Sequence, residues 1–136
     1  MFPEEADENI YPEVKNVLRR LKGKGIHLAI VSNRSTIHSF KSLEKHSIKD
    51  FFQCVVSPQI ARAPKAKNGP EMWKYALNKV GCKPSEVVHV DDDYETGILG
   101  AKRVGIKPVL IDRIGVHSSI TDCIVIHNLT EILELL

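Results

Sequence analysis

The apolar positions of the chain alternate between helical spacing and short continuous runs, a pattern that predicts successive helices and strands. A first helix is predicted to open at Pro12 and to end at Gly23 and Gly25. Its inward residues recur at intervals of three and four: Val14, Val17, Leu18 and Leu21. The apolar run Ile26 to Val31 follows directly, and such an uninterrupted run is typical of a strand covered on both faces.

The next two elements are predicted to be a helix and a short strand. Ser32-Asn33-Arg34-Ser35 breaks the apolar run with side chains that can cap a helix. We expect this helix to point Ile37, Phe40 and Leu43 toward the core. Cys54 to Val56 then reads as a second strand.

The stretch from Ser57 to Gly69 has no apolar periodicity and contains Pro58 and Pro64. These features predict a surface loop. Lys67 lies in this stretch, and lysines in polar loops are ordinarily solvated. Its place just before a proline that opens a helix is the only local feature that favours a contact with a ligand.

The second half of the chain repeats the alternation of helix and strand. Pro70 opens a third helix, which Gly81 ends, and its inward positions are Trp73, Ala76, Leu77 and Val80. A third strand, Val87 to Val90, is closed by Asp91, Asp92 and Asp93. The remaining predicted elements are a helix from about Gly97 to Val104 closed by Gly105, strands at Val109 to Ile111 and Cys123 to Ile126, and a C-terminal helix carrying Leu129, Ile132, Leu133 and Leu136.

Strands and helices that alternate at these intervals predict an α/β fold, Rossmann-like, with a mostly parallel sheet and helices on both faces. We expect one domain over residues 1–136, of which residues 1–10 form a flexible acidic segment. That segment lacks the apolar stretch of a signal peptide, and no apolar run is long enough to span a bilayer. We therefore expect a cytoplasmic protein.

Composition narrows the range of partners. The 136 residues carry 19 Lys and Arg against 17 Asp and Glu, a formal charge of +2, so we expect neither a nucleic acid nor a membrane as partner. Cys54, Cys82 and Cys123 are far apart and fit buried free thiols in a reducing compartment. The six histidines show no metal-ligand spacing, and we expect His27 and His89 to be structural residues of the strands.

Polar residues that directly follow the strands are the candidates for chemistry, because ligands of open parallel sheets bind at the carboxyl ends of the strands. They are Ser32 and Asn33, Asp91 to Asp93, and Asp112. Three adjacent carboxylates repel one another unless a cation such as Mg2+ or hydrogen-bond donors offset their charge. An Asp-rich turn that caps the next helix explains the same residues equally well. Likewise, Ser32 fits either a phosphate ligand or a simple helix cap.

Three segments, taken in order, resemble the haloacid dehalogenase-like hydrolase superfamily. YPEVKNVLRRLKGKGIHLAIVSNRS resembles its second motif region, KNGPEMWKYAL its third, and EVVHVDDDYETGILGAKRVGIKPVLIDR its fourth. The resemblance spans about Tyr11 to Arg113. The segment YPEV, followed directly by a helix, also resembles the minimally capped branch that includes magnesium-dependent phosphatases. It implies a phosphate-binding role for Ser32, Asn33 and Lys67, with Lys67 also offsetting charge in catalysis, and a Mg2+ site at Asp92 and Asp93.

The chain departs from the family pattern at two places. The first motif, D-x-D-x-T at the end of the first strand, is absent from the sequence, so no nucleophilic aspartate is identified. Gly97 stands where many relatives carry a further acidic residue, and Asp91 replaces a frequent glycine. Asp93 is the alternative to Asp91 as a second metal ligand.

The resemblance implies a Mg2+-dependent phosphohydrolase that is incomplete at its N-terminus. Its partner would be a small phosphorylated metabolite or a phosphoprotein. The alternative is a non-catalytic member that binds phosphate or metal for regulation or assembly.

The missing first strand also has structural consequences. By family analogy it lies between the strand ending at Ser32 and the strand ending at Asp91. Because neighbouring strands lie about 4.8 Å apart, its omission would leave a gap of roughly 10 Å. We expect direct pairing of the two strands, a strand from another chain, or a start codon placed too late. Exposed central edges would also favour a homo-oligomer.

Overall fold

The computed structural model describes residues 10–136. The predicted flexible segment therefore lies outside the described residues, except for Ile10. The α-helices are α1 (Val14–Gly23), α2 (Thr36–Lys45), α3 (Pro58–Ala61), α4 (Glu71–Val80) and α5 (Leu99–Arg103). The strands are β1 (Ala29–Val31), β2 (Cys54–Val56), β3 (Val88–Asp91), β4 (Lys107–Ile111) and β5 (Ile124–Ile126).

The strands form two parallel sheets. In one, β1 pairs with β2, and Ala29 is in register with Cys54. In the other, the order is β3-β4-β5, with Val88 opposite Lys107 and Val109 opposite Ile124. The predicted α/β class with parallel strands is confirmed. Of the three alternatives for the edges of β1 and β3, direct pairing does not occur within residues 10–136, because β1 pairs only with β2 and β3 pairs only with β4.

Two helices contribute side chains to the cores of both halves. Val17 and Leu21 of α1 pack with the three-stranded sheet, whereas Leu18 packs with residues near the two-stranded sheet. Met72 of α4 packs beneath β2, and Trp73 packs against α5. The helices therefore hold the two sheets together, although no strand pair of the described residues joins them.

The helical assignments are confirmed for α1 and α4 and need correction elsewhere. Ile37 of α2 is 65% exposed, because Ser39 and Leu43 are the buried residues and a position two residues away lies roughly 200° around a helix. The predicted helix from Gly97 begins earlier, as a π-helical segment over Tyr94–Ile98 that leads into α5. The C-terminal element, Leu129–Glu134, is a 3-10 helix rather than an α-helix.

The predicted surface loop after β2 is partly folded and partly buried. Ser57 is fully buried and accepts a hydrogen bond from the Ile60 amide (3.2 Å), so it caps the short helix α3. A 3-10 turn follows at Ala66–Asn68. This turn buries Lys67, so the expectation of a solvated lysine is wrong.

The cysteines and histidines also differ in part from expectation. Cys54, Cys82 and Cys123 are free thiols as predicted, but each is half-buried rather than buried. Burial raises the pKa of Cys54 and of Cys123. His27 is exposed, because β1 begins only at Ala29. Within residues 10–136, no helix is long and apolar enough to cross a membrane.

Candidate functional site

A cleft of about 1100 Å³ lies between the two sheets. Leu28 and Ile30 line it from the side of β1, and Val88 and Val90 line it from the side of β3. Side chains of α1 and α4, including Leu18 and Trp73, complete the apolar walls. The facing edges of β1 and β3 have no strand partner within residues 10–136, and the cleft lies between these two edges.

The polar residues of the cleft come from the carboxyl ends of the strands. They are Ser32 after β1, Lys67 from the turn before α4, Asp91 and Asp92 at the end of β3, and Asp112 after β4. The sequence-predicted residues Ser32, Lys67 and Asp92 therefore line one cavity. Asn33 does not line the cavity, but its side chain accepts a hydrogen bond from the Lys67 amide.

The turn after β1 is held by hydrogen bonds to its own and to neighbouring backbone. The Arg34 amide donates to Ser32 Oγ (3.1 Å), and the Lys67 amide donates to Asn33 Oδ1 (3.0 Å). Ser32 thus closes a local turn, whereas the side chain that caps α2 is Ser35, which accepts from the His38 amide (3.3 Å). Ser32 is half-buried and lines the cleft. Asn33 ties this turn to the lysine turn rather than presenting its oxygen to a ligand.

Lys67 is buried and oriented at three points. Its amide is held by Asn33, and its carbonyl accepts a hydrogen bond from Trp73 Nε1 (3.1 Å). Its ammonium group lies 2.6 Å from Asp91 Oδ2, with only 9% of the Lys67 side chain and 7% of the Asp91 side chain exposed. The lysine charge is therefore already matched by a carboxylate at the cleft.

Asp91 lies at the centre of a buried hydrogen-bond network. His89 Nε2 is 2.8 Å from Asp91 Oδ2, and the Asp93 amide donates to Asp91 Oδ1 (2.9 Å). Burial alone would raise the pKa of Asp91, but the His89 hydrogen bond and the Lys67 charge outweigh it and lower that pKa strongly. Burial lowers the pKa of His89, so a neutral imidazole donates from Nε2 to the ionised carboxylate.

The predicted metal ligands are both exposed, and Asp92 lines the cleft whereas Asp93 does not. Both residues line a second pocket of about 470 Å³, which they share with Glu95 and His117. Asp93 Oδ1 accepts a hydrogen bond from the Thr96 amide (3.2 Å), so Asp93 caps the following helical segment as in the alternative interpretation. Within residues 10–136, no three His, Cys, Asp or Glu side chains are grouped closely enough to hold a metal ion.

Asp112 shapes a loop beside the site. Its buried carboxylate accepts hydrogen bonds from the Val116 and His117 amides, both at 3.0 Å. Burial would raise the pKa of Asp112, but these backbone donors lower it. Its oxygens are engaged with the loop that carries His117 to the second pocket.

The sequence interpretation missed the network of His89, Asp91 and Trp73. His89 packs edge-on against the Trp73 ring at 4.7 Å between centroids. The signal was present but ambiguous, since a histidine and an aspartate two residues apart on a strand share one face of it. The pair can be recognised as part of a site only because Lys67 is buried against Asp91, and the sequence predicted that Lys67 is solvated.

Comparison with known proteins identifies the family. A model of haloacid dehalogenase-like hydrolases matches residues 2–105. A glyceraldehyde 3-phosphate phosphatase of Methanothermobacter thermautotrophicus is 29% identical over 133 residues, which are 93% of this chain and 58% of that protein. A phosphoglycolate phosphatase of Pasteurella multocida is 34% identical over 96 residues, which are 71% of this chain and 42% of that protein.

Solved structures agree with this assignment. The crystal structure of a HAD phosphatase from Thermococcus onnurineus superimposes with a TM-score of 0.86 at 27% identity, covering 93% of this chain and 58% of that one. The chain thus spans about half the length of the relatives it matches. Because the family model matches well over half of its residues, the chain belongs to the haloacid dehalogenase-like hydrolase family.

Proposed function

We propose that this chain is part of a Mg2+-dependent phosphatase. The observation that carries the proposal is that Ser32, Lys67 and Asp92 line one cleft at the carboxyl ends of parallel strands. A hydroxyl, an ammonium group and a carboxylate at this edge suit a phosphoryl group and a divalent ion. The names of the relatives, phosphatases of glyceraldehyde 3-phosphate and of phosphoglycolate, support a small phosphorylated metabolite as substrate over a phosphoprotein.

Each residue has a role that its position allows. The Ser32 hydroxyl would hold one phosphoryl oxygen, and Asn33 would keep the two turns together through the Lys67 amide. Lys67 would offset negative charge on the transferring group. Asp92 would hold Mg2+, with Asp93 contributing its second oxygen or a bridging water; an octahedral ion with one or two carboxylates, waters and substrate oxygens needs no cluster of three protein ligands. When bound, Mg2+ would offset charge on the phosphoryl oxygens.

The covalent step needs a nucleophile that the sequence does not identify. In the family reaction an aspartate oxygen attacks phosphorus, the bond to the leaving oxygen breaks, and that oxygen takes a proton; water then cleaves the aspartyl phosphate. We propose that an extended segment between β1 and β3 supplies this aspartate. Ser32 follows β1 and Asp92 follows β3, and both residues line the same cleft. A strand placed between β1 and β3 would therefore end beside Ser32 and Asp92.

The cleft favours a strand over a compact ligand. Unpaired strand edges need hydrogen-bond partners, and an apolar strand would satisfy β1 and β3 while covering the side chains of α1 and α4. The segment would belong to a longer form of this protein or to another chain, including a second copy. The two sources differ in whether activity depends on protein concentration.

The experiment is to measure hydrolysis of p-nitrophenyl phosphate with and without Mg2+. The chain should be compared with a form extended by the in-frame codons upstream of Met1. Metal-dependent turnover by the extended form, lost in Asp92→Asn, is the expected result. A stop codon shortly upstream would rule out the extended form, and steady turnover that survives Asp92→Asn would contradict the assigned site.

A second candidate function is phosphate or metal binding without catalysis, in regulation or assembly. The observation in its favour is that Asp91 already neutralises Lys67, which leaves less free positive charge to accelerate phosphoryl transfer. This function predicts that calorimetry detects Mg2+ or phosphate binding while no form of the protein hydrolyses a panel of phosphorylated metabolites.

A further inference from the structure

Gly97 faces the carboxylate of Asp91 at a distance that leaves no room for any side chain. A Cβ atom at residue 97 would lie 2.1 Å from Asp91 Cγ and 2.2 Å from Asp91 Oδ2. Gly97 is not among the glycines with positive φ, which are Gly25, Gly81, Gly105 and Gly115. Glycine is therefore required at residue 97 for space and not for backbone conformation.

The carboxylate that fills this space holds Lys67. Asp91 Oδ2 accepts from the Lys67 ammonium group at 2.6 Å and from His89 at 2.8 Å, and Asp91 Oδ1 accepts from the Asp93 amide at 2.9 Å. Both oxygens of Asp91 are thus already engaged in hydrogen bonds with protein groups. This arrangement argues against Asp91 as a metal ligand.

We propose that Asp91 positions Lys67. We further propose that residues 91 and 97 share one space, which has room for one carboxylate from either position. Asp91, at the end of β3, supplies this carboxylate, and Gly97 leaves room for it because it has no side chain. The importance of Lys67 for a phosphoryl group rests on the proposed function, whereas the pairing of residues 91 and 97 does not.

The same space is accessible from the side of residue 97. A Cβ at this position would lie 2.2 Å from the present site of Asp91 Oδ2, which is itself 2.6 Å from the Lys67 nitrogen. An aspartate at residue 97 would therefore place its oxygens within reach of the same ammonium group once Asp91 is removed. The two positions should be exchangeable as a pair but not singly.

The test is a set of reciprocal substitutions in the whole chain, followed by urea unfolding. Asp91→Gly leaves Lys67 buried without its partner and should lower the urea midpoint by about 1–2 M. Gly97→Asp introduces a clash and a second carboxylate and should lower the midpoint by a similar amount. The double variant D91G/G97D should recover at least half of either loss.

The matched control is D91G/G97A, which opens the same space and adds a Cβ without a carboxylate. It should remain as unstable as D91G. Adding Lys67→Met to both double variants should remove the advantage of G97D over G97A, because the ammonium group would be gone. If the losses are simply additive, or if D91G/G97A recovers as well as D91G/G97D, the proposal is wrong.

A spectroscopic measurement separates positioning from general stabilisation. The Lys67 ammonium group, labelled with 15N, should give a slowly exchanging NMR signal in the wild-type chain and in D91G/G97D, and this signal should vanish in D91G/G97A. If D91G does not fold, Asp91→Asn, which keeps the shape without the charge, should weaken the same signal. An unchanged Lys67 signal in Asp91→Asn would overturn the proposal, and neither result depends on phosphatase activity.

Discussion

The two sides of the cleft are built differently. On the side of β3, Asp91, His89 and Lys67 form a buried network in which each charged group has a partner. On the side of β1, Ser32 and Asn33 form a turn at the surface whose side chains mainly accept backbone hydrogen bonds. Buried charge therefore fixes one half of the site, whereas hydrogen bonds between side chains and turn backbone shape the other half.

The largest expected effect is on the charged side. Lys67→Met would leave the buried Asp91 carboxylate without its cation, and breaking a buried pair in this way costs about 3 kcal/mol of the free energy of unfolding. Lys65→Met is the matched control, because Lys65 is exposed in the same loop and should change stability by less than about 0.5 kcal/mol. Urea unfolding measures both; equal effects would contradict the buried pair.

The next largest effect depends on pH. Asp91→Asn should cost about 2 kcal/mol at pH 7, since it replaces hydrogen bonds to a charged group. The pKa of Asp91 is lower in the folded chain than its ordinary value of 3.8, so the unfolded chain takes up a proton first as the pH falls. The stabilising contribution is thus present above about pH 4 and is lost below it. The wild-type and variant unfolding free energies should converge toward low pH, and a constant difference would count against the network.

A smaller effect separates the two serines that follow β1 and β2. Ser57→Ala removes a buried cap whose hydroxyl also shares a hydrogen bond of 2.6 Å with Thr36, and should cost about 1 kcal/mol. Ser32→Ala should cost less, because its hydroxyl is only half-buried, but it alone should weaken phosphate binding. Thermal unfolding and calorimetry with inorganic phosphate test both parts; weaker phosphate binding in Ser57→Ala but not in Ser32→Ala would reverse the assignment.

The smallest effect tests the corrected face of α2. Ile37→Ser should change the free energy of unfolding by less than about 0.5 kcal/mol, because Ile37 is 65% exposed. Leu43→Ala, on the buried face of the same helix, should cost at least about 2 kcal/mol. Comparable losses in the two variants would restore the original expectation that Ile37 faces the core.

The sequence was sufficient for the framework because apolar periodicity follows burial. The run Cys54–Val56, the helix ended by Gly81 and the polar residues after each strand were predicted where the structure has them. These features depend on local spacing and on caps, which short segments encode by themselves.

Other features depend on contacts between distant segments. The burial of Lys67 requires Asp91 and Trp73, which lie elsewhere in the chain, so a window around the lysine indicates only a polar loop. The π-helical segment before α5 and the position of Ile37 likewise depend on tertiary packing. The cleft depends on which strands pair with each other. An apolar pattern predicts that a strand exists, but it does not predict which strand lies beside it.

We propose that Ser32, Lys67 and Asp92 form one site for Mg2+ and a phosphoryl group. The most direct measurement is calorimetric titration of the chain with inorganic phosphate, with and without Mg2+, in the wild type and in Asp92→Asn. Linkage predicts that Mg2+ tightens phosphate binding in the wild type and has no such effect in Asp92→Asn. Phosphate binding that is independent of Mg2+, or equally enhanced by it in both proteins, would contradict the claim.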